Sequence, residues 1–551
     1  MTETSFDSAV AALYSSEHQA STAEALALTA QRRTQTIADM RIYLQRVGLL
    51  ENGKSVLFQN KRLVHITGTK GKGSTACLCE TILRQAYGLR TGLFTSPHLV
   101  DIRERIRVNG QPVSPEVFGK AYWTLRQMLE APAGNEPNAL PVLPGYFRML
   151  TLMALYIFSH YEPSIDVIIL EVGMGGRFDA TNSLDLDTTW KSYACGITKL
   201  DYDHVRVLGH RLEQIAWEKA GIFLKNKLSP GTPRPPDDVG DEIDEASATK
   251  VPKSTSVKND CKYFALDPKK ASVQQVLEEC ALGEKLCFVA GSYERELPPD
   301  APIGLAGNHQ RDNAELAMAL CQAVCDDKSV SSTDIHAAIA QAKWLGRCQT
   351  IVLEPKLNIR LDGAHTVESV HVGLEWFDQV AVPGAQRHLI FNCSHERNPV
   401  ELLERFVPLG FHSVSFCKAD SERPSAIQKP SAKALLQTWQ SSIPKSEDSN
   451  GDDSPYSHLP DQPEATWQET LCNIWCALER ELLPDSNKAV ASGTMTLSAS
   501  LDQIRQSLKE DEGASGEVLI AGSLYLVGSA LSALCWKETD AEGTLIADES
   551  S

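Results

Sequence analysis

Residues 63–75, LVHITGTKGKGST, constrain the fold more than any other stretch. The apolar run Leu63 to Ile66 reads as a buried strand. It opens into three glycines, two lysines and four hydroxyl residues, and a helix is predicted over about Lys72 to Ala86. A glycine-rich turn between strand and helix gathers backbone N–H groups, a helix N-terminus and a lysine around one point, which suits phosphate. Gly71, Lys72, Gly73, Ser74 and Thr75 are the candidate cradle, with a hydroxyl of Ser74 or Thr75 available to a phosphate oxygen or a magnesium ion. The spacing departs from G-x-x-x-x-G-K-[ST], because Gly73 separates Lys72 from Ser74. A solvated glycine turn is the alternative reading, and the succession of strand, loop and helix disfavours it.

Further strand and helix signals alternate along the chain. RTGLFT reads as a strand, YFRMLTLMALYIFSHY as a long buried helix and IDVIILEV as another strand. Continuous apolar strands between helices predict a parallel sheet covered on both faces. At 551 residues the chain exceeds one core. A second series, IRLDGAH, RHLIFNC, HSVSFCKA and EVLIAGSLYLVGSAL, predicts a second α/β domain starting near Trp344. The expected fold is therefore α/β: a P-loop nucleotide-binding parallel-sheet domain over 1–343, then a smaller Rossmann-like domain over 344–551. Two polar tracts, about 228–257 and 421–464, read as a surface insertion and a mobile loop. Helical spacing within the first fifty residues predicts a cover for the nucleotide fold.

The net charge of −18 argues against a nucleic-acid partner held on a basic surface. Fourteen cysteines without a C-x-x-C pair suit reduced thiols in an intracellular protein. MTETSFDSAVAALYSS has no basic region before an apolar core, and Glu3 and Asp7 disfavour a mitochondrial presequence. No apolar run approaches the roughly 20 residues that span a bilayer. A cytoplasmic protein is expected, with a mitochondrial form from an alternative start left open.

Several other residues fall where α/β sheets bind ligands, just past strand C-termini. In IILEVGMGGRFDATN, Glu171 is a candidate magnesium ligand; its alternative is an ion pair with Arg177, and Asp179 and Asn182 read equally well as turn residues. His204 follows another apolar run, although a lone histidine is more often structural. Lys219, fifteen residues on and on a predicted helix, needs a carboxylate partner or a modification if it is buried. In the second domain, Arg347 of WLGRCQ and Asp362 and His365 of LDGAHT suit phosphoryl, ribose or proton contacts.

In this order the motifs HITGTKGKGST, GLFTSPHLVDIRERIRVNG, YFRMLTLMA, EVGMGGRFDATN, DHVRVLG, EKAGI, GNHQRDNAELA, LDGAH and GSLYLVG resemble the folylpolyglutamate synthases, relatives of the Mur ligases. The resemblance runs from about Arg41 to Gly528, and TSPHL with RERIRVNG places it in the folate branch. It implies an ATP-dependent ligation in which the γ-carboxylate of a reduced folate becomes an acyl phosphate and the amine of L-glutamate displaces phosphate. Carried over, it makes Lys72, Lys219 and His365 the catalytic side chains, and Arg347 and Asp362 ATP contacts. Ser96, Glu171 and His204 become ligands of two magnesium ions, and Lys219 a carbamylated, metal-binding lysine. A monovalent cation such as K+ is also implied by the resemblance, and a monomer is expected. KLDYDH departs from the family pattern and leaves Asp201 as an extra acid near the metals. Dihydrofolate synthase or a bifunctional enzyme is the alternative, and an inactive nucleotide-binding regulator is the reading from another class.

Overall fold

The structure is a computed structural model, and it describes residues 5–15, 18, 32–55, 57–131, 140–186, 189–229, 231–236, 261–290, 296–395, 397–420, 429–442, 456–483, 488–511 and 513–534. The chain divides into two compact units, Met1–Lys343 and Trp344–Ser551.

The first unit is built on an eight-stranded sheet of order β4-β3-β2-β5-β1-β6-β7-β8. Its strands are β1 (Arg62–Thr67), β2 (Thr91–Phe94), β3 (Ile106–Val108), β4 (Gln111–Pro112), β5 (Val167–Glu171), β6 (Ser192–Ile197), β7 (Tyr263–Leu266) and β8 (Leu286–Val289). β1 lies at the centre, parallel to β5 on one side and β6 on the other. All of its residues are buried, as expected of a strand covered on both faces. The helix Lys72–Gln85 follows it, and Tyr146–His160 is the long buried helix before β5. The sheet is not wholly parallel: β3 and β4 form an antiparallel hairpin against β2. Its turn is Asn109-Gly110, both with positive φ, 50° and 81°, the conformation that matches hairpin twist.

The second unit holds a six-stranded sheet of order β13-β12-β11-β14-β10-β9. These are β9 (Gln349–Glu354), β10 (Leu357–Leu361), β11 (Gln386–Phe391), β12 (Ser413–Phe416), β13 (Val490–Ser492) and β14 (Gly516–Ala521). Only the edge strand β9 runs antiparallel to its neighbour. The architecture is thus the expected α/β one, with each sheet carrying an antiparallel margin.

The polar tracts differ from the expectation. Within 421–464, Ala432–Ser442 is a helix that buries Ala432, Leu436 and Trp439, and Tyr456 is 2% exposed; residues 421–428 and 443–455 lie outside the described residues. The apolar positions recur at helical spacing and pay for order there, so this part is packed structure. In the first tract, residues 237–257 also lie outside the described residues. Its start packs on the helix Leu212–Ala220: Trp217 Nε1 donates to Thr232 O at 2.8 Å and Gln214 Nε2 to Pro235 O at 3.3 Å. Every cysteine among the described residues is a free thiol, and no helix among them is long and apolar enough to cross a membrane.

Candidate active site

The loop between β1 and the helix Lys72–Gln85 is forced into shape by its glycines. Gly71 caps the helix with a left-handed φ of 86°, a conformation costly for other residues. A Cβ there would overlap the Asn313 amide, and one on Gly68 would overlap Thr198. The loop is then tied down from β6: Thr198 Oγ1 donates to Lys70 O at 2.6 Å, and Thr69 N to Lys199 O at 2.9 Å. Lys72 Nζ folds back onto Gly68 O at 3.1 Å.

Behind the loop stands a polar chain from the helix Gln310–Val324. Asn313 Nδ2 donates to Gln310 Oε1 at 2.9 Å, and Gln310 Nε2 lies 3.5 Å from Ser74 Oγ. Thr75 Oγ1 is buried with no hydrogen-bond partner among the described residues.

The next group comes from the strands flanking β1 on the β2 side. Glu171 ends β5, is 4% exposed, and its Oε2 accepts from Ser96 N, just past β2, at 3.0 Å. Arg177 turns elsewhere: its guanidinium lies 3.8 Å from the centre of the Trp217 ring, and burial lowers its pKa. Asp179 accepts from Thr181 N and Oγ1 at 3.0 and 2.7 Å. Burial raises the Asp179 pKa.

From the β6 side come His204 and Lys219. His204 is left-handed (φ 50°) at the start of the short helix Val205–Leu208, with a half-exposed side chain. Its neighbour Asp203 is the acid at this edge. The Asp203 carboxylate lies 3.9 Å from His204 Nε2 and 3.8 Å from Lys70 Nζ. Asp201, singled out in the sequence, instead accepts its neighbour's amide, Tyr202 N, at 2.7 Å. Lys219 is 3% exposed and donates to Gly68 O at 2.8 Å. Burial, and next the charge of Lys72, hold its pKa well below the ordinary lysine value, partly offset by Asp203 and Glu218. Glu218 in turn takes a two-pronged bond from Arg33, at 2.9 and 2.7 Å.

Ser96, Glu171, Lys72, His204 and Lys219 therefore all sit at the carboxyl edge of one sheet, beyond four neighbouring parallel strands. In the second unit the corresponding edge carries Asp362 and His365. Asp362 Oδ2 accepts from Cys348 N at 2.8 Å and its Oδ1 from Ala364 N at 2.9 Å. That brace holds the segment carrying Arg347, whose Nη1 bonds Gly346 O at 3.2 Å. His365 Nδ1 lies 2.8 Å from Gly363 O.

The residues of the first unit fit a nucleotide phosphate with a hard cation. Two glycines leave no room for a side chain where the backbone turns, and the buried Thr75 hydroxyl lacks a protein partner among the described residues. No three His, Cys, Asp or Glu side chains among the described residues cluster to hold a metal by themselves. An ion here would complete its shell from hydroxyls, water and phosphate oxygens, as magnesium commonly does. Asp203, Thr198 and the Gln310–Asn313 pair are the additions to the sequence-derived set. Asp203 had a local signal in its place beside His204 in DYDH, and Gln310 and Asn313 lie within the motif GNHQRDNAELA; Thr198 had none.

No family model matches the chain. Over 410 residues it is 34% identical to the mitochondrial folylpolyglutamate synthase of Homo sapiens, covering 69% of this chain and 62% of that protein. It therefore spans less than two thirds of that relative's length. It is 31% identical over 533 residues to the folylpolyglutamate synthase of Arabidopsis thaliana, covering 88% of this chain and 81% of that protein. A solved bifunctional folylpolyglutamate synthase/dihydrofolate synthase with Mn, AMPPNP and L-glutamate bound superposes with a TM-score of 0.57 at 20% identity, covering 91% of this chain and 94% of the other. At that identity the likeness is one of fold.

Proposed function

The chain belongs to the folylpolyglutamate synthase family, and from that premise we propose that it is an ATP-dependent ligase adding L-glutamate to the γ-carboxylate of a reduced folate. The observation that carries this reading is the convergence of Lys72 and the buried Lys219 on Gly68 O, beside a carboxylate at the end of β5. Magnesium-bound ATP supplies the phosphoryl group that converts the γ-carboxylate into an acyl phosphate, from which the amine of L-glutamate displaces phosphate.

The residues of the chain divide that work. Gly71 to Thr75 cradle the phosphates through backbone N–H groups and hydroxyls. Lys72 offsets the repulsion between two anions, nucleotide and carboxylate, as they are brought together. Ser96 and Glu171 would hold one magnesium ion and His204 would serve a second, and these ions would supply positive charge to offset that of the phosphates. Lys219 is suited to carbamylation because its buried amine favours the neutral, nucleophilic form. Carbon dioxide then forms an N–C bond, a proton leaves, and the carbamate supplies a negative metal ligand. Arg347 and Asp362 are assigned to ATP, with His365 beside them, and Asp362 also braces the Arg347 segment. In this reading the protein works in the cytoplasm as a monomer; the human relative's name makes mitochondria the alternative.

The bifunctional relative of the same fold favours one second reading, in which dihydropteroate is also accepted. Incorporation of labelled glutamate, with tetrahydrofolate, dihydropteroate or a muramyl peptide as acceptor, tests both. Incorporation into tetrahydrofolate is expected. Incorporation only into dihydropteroate replaces the first reading by the second, and none with any acceptor removes both.

A further inference from the structure

Three consecutive residues near the end of the helix Leu212–Ala220 are each tied to a different part of the first unit. Trp217 Nε1 donates to Thr232 O at 2.8 Å and Lys219 Nζ to Gly68 O at 2.8 Å. Between them, Glu218 accepts two bonds from Arg33, at 2.9 and 2.7 Å. Successive side chains leave a helix about 100° apart, so the three anchors surround its axis. Glu218 thus leaves the helix on another side than Lys219, and its partner comes from the turn Arg33–Gln35, which leads into the helix Thr36–Arg46.

The Arg33–Glu218 pair has the geometry of a fixed joint. The Glu218 side chain is 2% exposed and that of Arg33 22%, and the guanidinium also lies 5.2 Å from the centre of the Phe178 ring, so a planar fork is held on two sides. Stability does not account for a pair of this kind. Well-packed apolar side chains of similar volume commonly hold a buried site as well or better, because both ions lose their water. Nor is the pair needed to end the helix. Arg177 N donates to Glu218 O at 2.7 Å and Arg177 Nη2 to Trp217 O at 3.2 Å, while Asn182 Nδ2 reaches Gly221 O at 3.2 Å, so carbonyls at the helix end already have donors. What remains for the pair is the rotation of the helix about its axis. With side chains reaching roughly 5–6 Å from the axis, a turn of about 10° moves Lys219 Nζ by roughly 1 Å, and misplacement on that scale can cost about a hundredfold in rate.

We infer that Arg33 and Glu218 are positioning residues for Lys219: their ion pair fixes the rotation of the helix Leu212–Ala220, so that the amine is held at Gly68 O beside the phosphate loop. Both act through the helix, and neither touches nucleotide or acceptor. The inference rests on the ligase reading and extends it to a segment before β1, which gains a purpose beyond covering the nucleotide fold.

The test compares Arg33→Met, Arg33→Lys, and Arg33→Met combined with Glu218→Leu, each in the full chain. The readouts are melting temperature, equilibrium binding of a non-hydrolysable ATP analogue, and steady-state glutamate ligation. Arg33→Met alone strands a buried carboxylate and is expected to lower both Tm and kcat. The double variant removes both charges: Tm and nucleotide affinity are expected to stay at the unaltered level, while kcat falls about ten- to a hundredfold with KM for ATP unchanged. Arg33→Lys, which keeps the charge without the fork, returns part of the kcat that Arg33→Met loses. A double variant with unaltered kcat overturns the positioning role, and so does one whose Tm falls along with its kcat, since the pair is then a stability element. Both outcomes leave the ligase reading standing, because the unaltered chain still ligates glutamate. An unaltered chain that binds nucleotide yet ligates glutamate to no acceptor overturns the ligase reading, and the positioning role with it.

Discussion

The Nζ atoms of Lys219 and Lys72 converge on one backbone oxygen, that of Gly68, at 2.8 and 3.1 Å. Two ammonium groups at that separation repel strongly in a buried setting. Burial and the charge of Lys72 both lower the pKa of the buried member, Lys219, which favours its neutral form.

Lys219→Met is therefore expected to separate stability from activity. Between the lowered folded-state value and the ordinary lysine value of 10.5 the unfolded chain holds a proton that the folded protein lacks. Stability of the ligand-free protein accordingly rises with pH from the folded-state value toward 10.5, and the substitution flattens that rise. Thermal denaturation at neutral pH should show a higher Tm for the variant, while glutamate ligation is lost. A carbon-13 carbamate signal from labelled CO2 should appear in the unaltered protein and vanish in the variant. Lys219→Ala with normal magnesium-dependent turnover would rule the carbamate role out.

Lys72→Ala removes the flexible cation of the phosphate loop without touching a buried contact of the core. Turnover should fall by roughly two or more decades, the scale of one lost electrostatic stabiliser, with the melting temperature little changed. Near-normal kcat would exclude Lys72 from phosphate chemistry.

Gly71→Ala combines two penalties: a φ of 86° and a Cβ that overlaps the Asn313 amide. A loss of about 1–3 kcal/mol is expected from the backbone alone, together with weakened nucleotide binding. Adding Asn313→Ala should return part of the loss, since it relieves the overlap and leaves the backbone strain. Denaturant unfolding reads the first effect, and titration with an ATP analogue the second.

In the second unit, Arg360 and Glu517 pair at 2.7 Å with side chains 7% and 1% exposed, and Asn358 Nδ2 also donates to Glu517 at 2.7 Å. Glu517→Leu strands the arginine and should cost about 3–5 kcal/mol, whereas Arg360→Met with Glu517→Leu should recover most of it. Equal stability of single and double variants in urea would show that the network contributes nothing as a pair.

What the sequence discloses follows from the range of the interactions. Strands β1 and β5 are legible because both faces are buried and the residues run apolar, and the glycines of the loop announce themselves through their chemistry. The hairpin Ile106–Val108 to Gln111–Pro112 carried its own Asn-Gly signal inside RERIRVNG, where it passed as part of a longer motif. The helix Ala432–Ser442 was hidden by composition: polar neighbours on both sides dilute Leu435, Leu436 and Trp439. Sheet order is a different matter, since β1 pairs with β5 and β6 and not with β2, its successor in the chain. Asp203 beside Lys70, and Asn313 against Gly71, acquire meaning only once segments far apart in sequence are brought together.

The pairing of Ile66 with Glu171, and of Thr67 with Ile197, works as a mechanical gauge. Neighbouring residues of β1, each paired in one of the two ladders that flank it, set how far the phosphate loop stands from the acid on one side and from the His204 segment on the other. Loops beyond the strand ends can then lengthen, shorten or change composition without altering that spacing. Changes in those loops are thus expected to alter what the sheet edge can bind before they alter the spacing between the phosphate loop, Glu171 and the His204 segment.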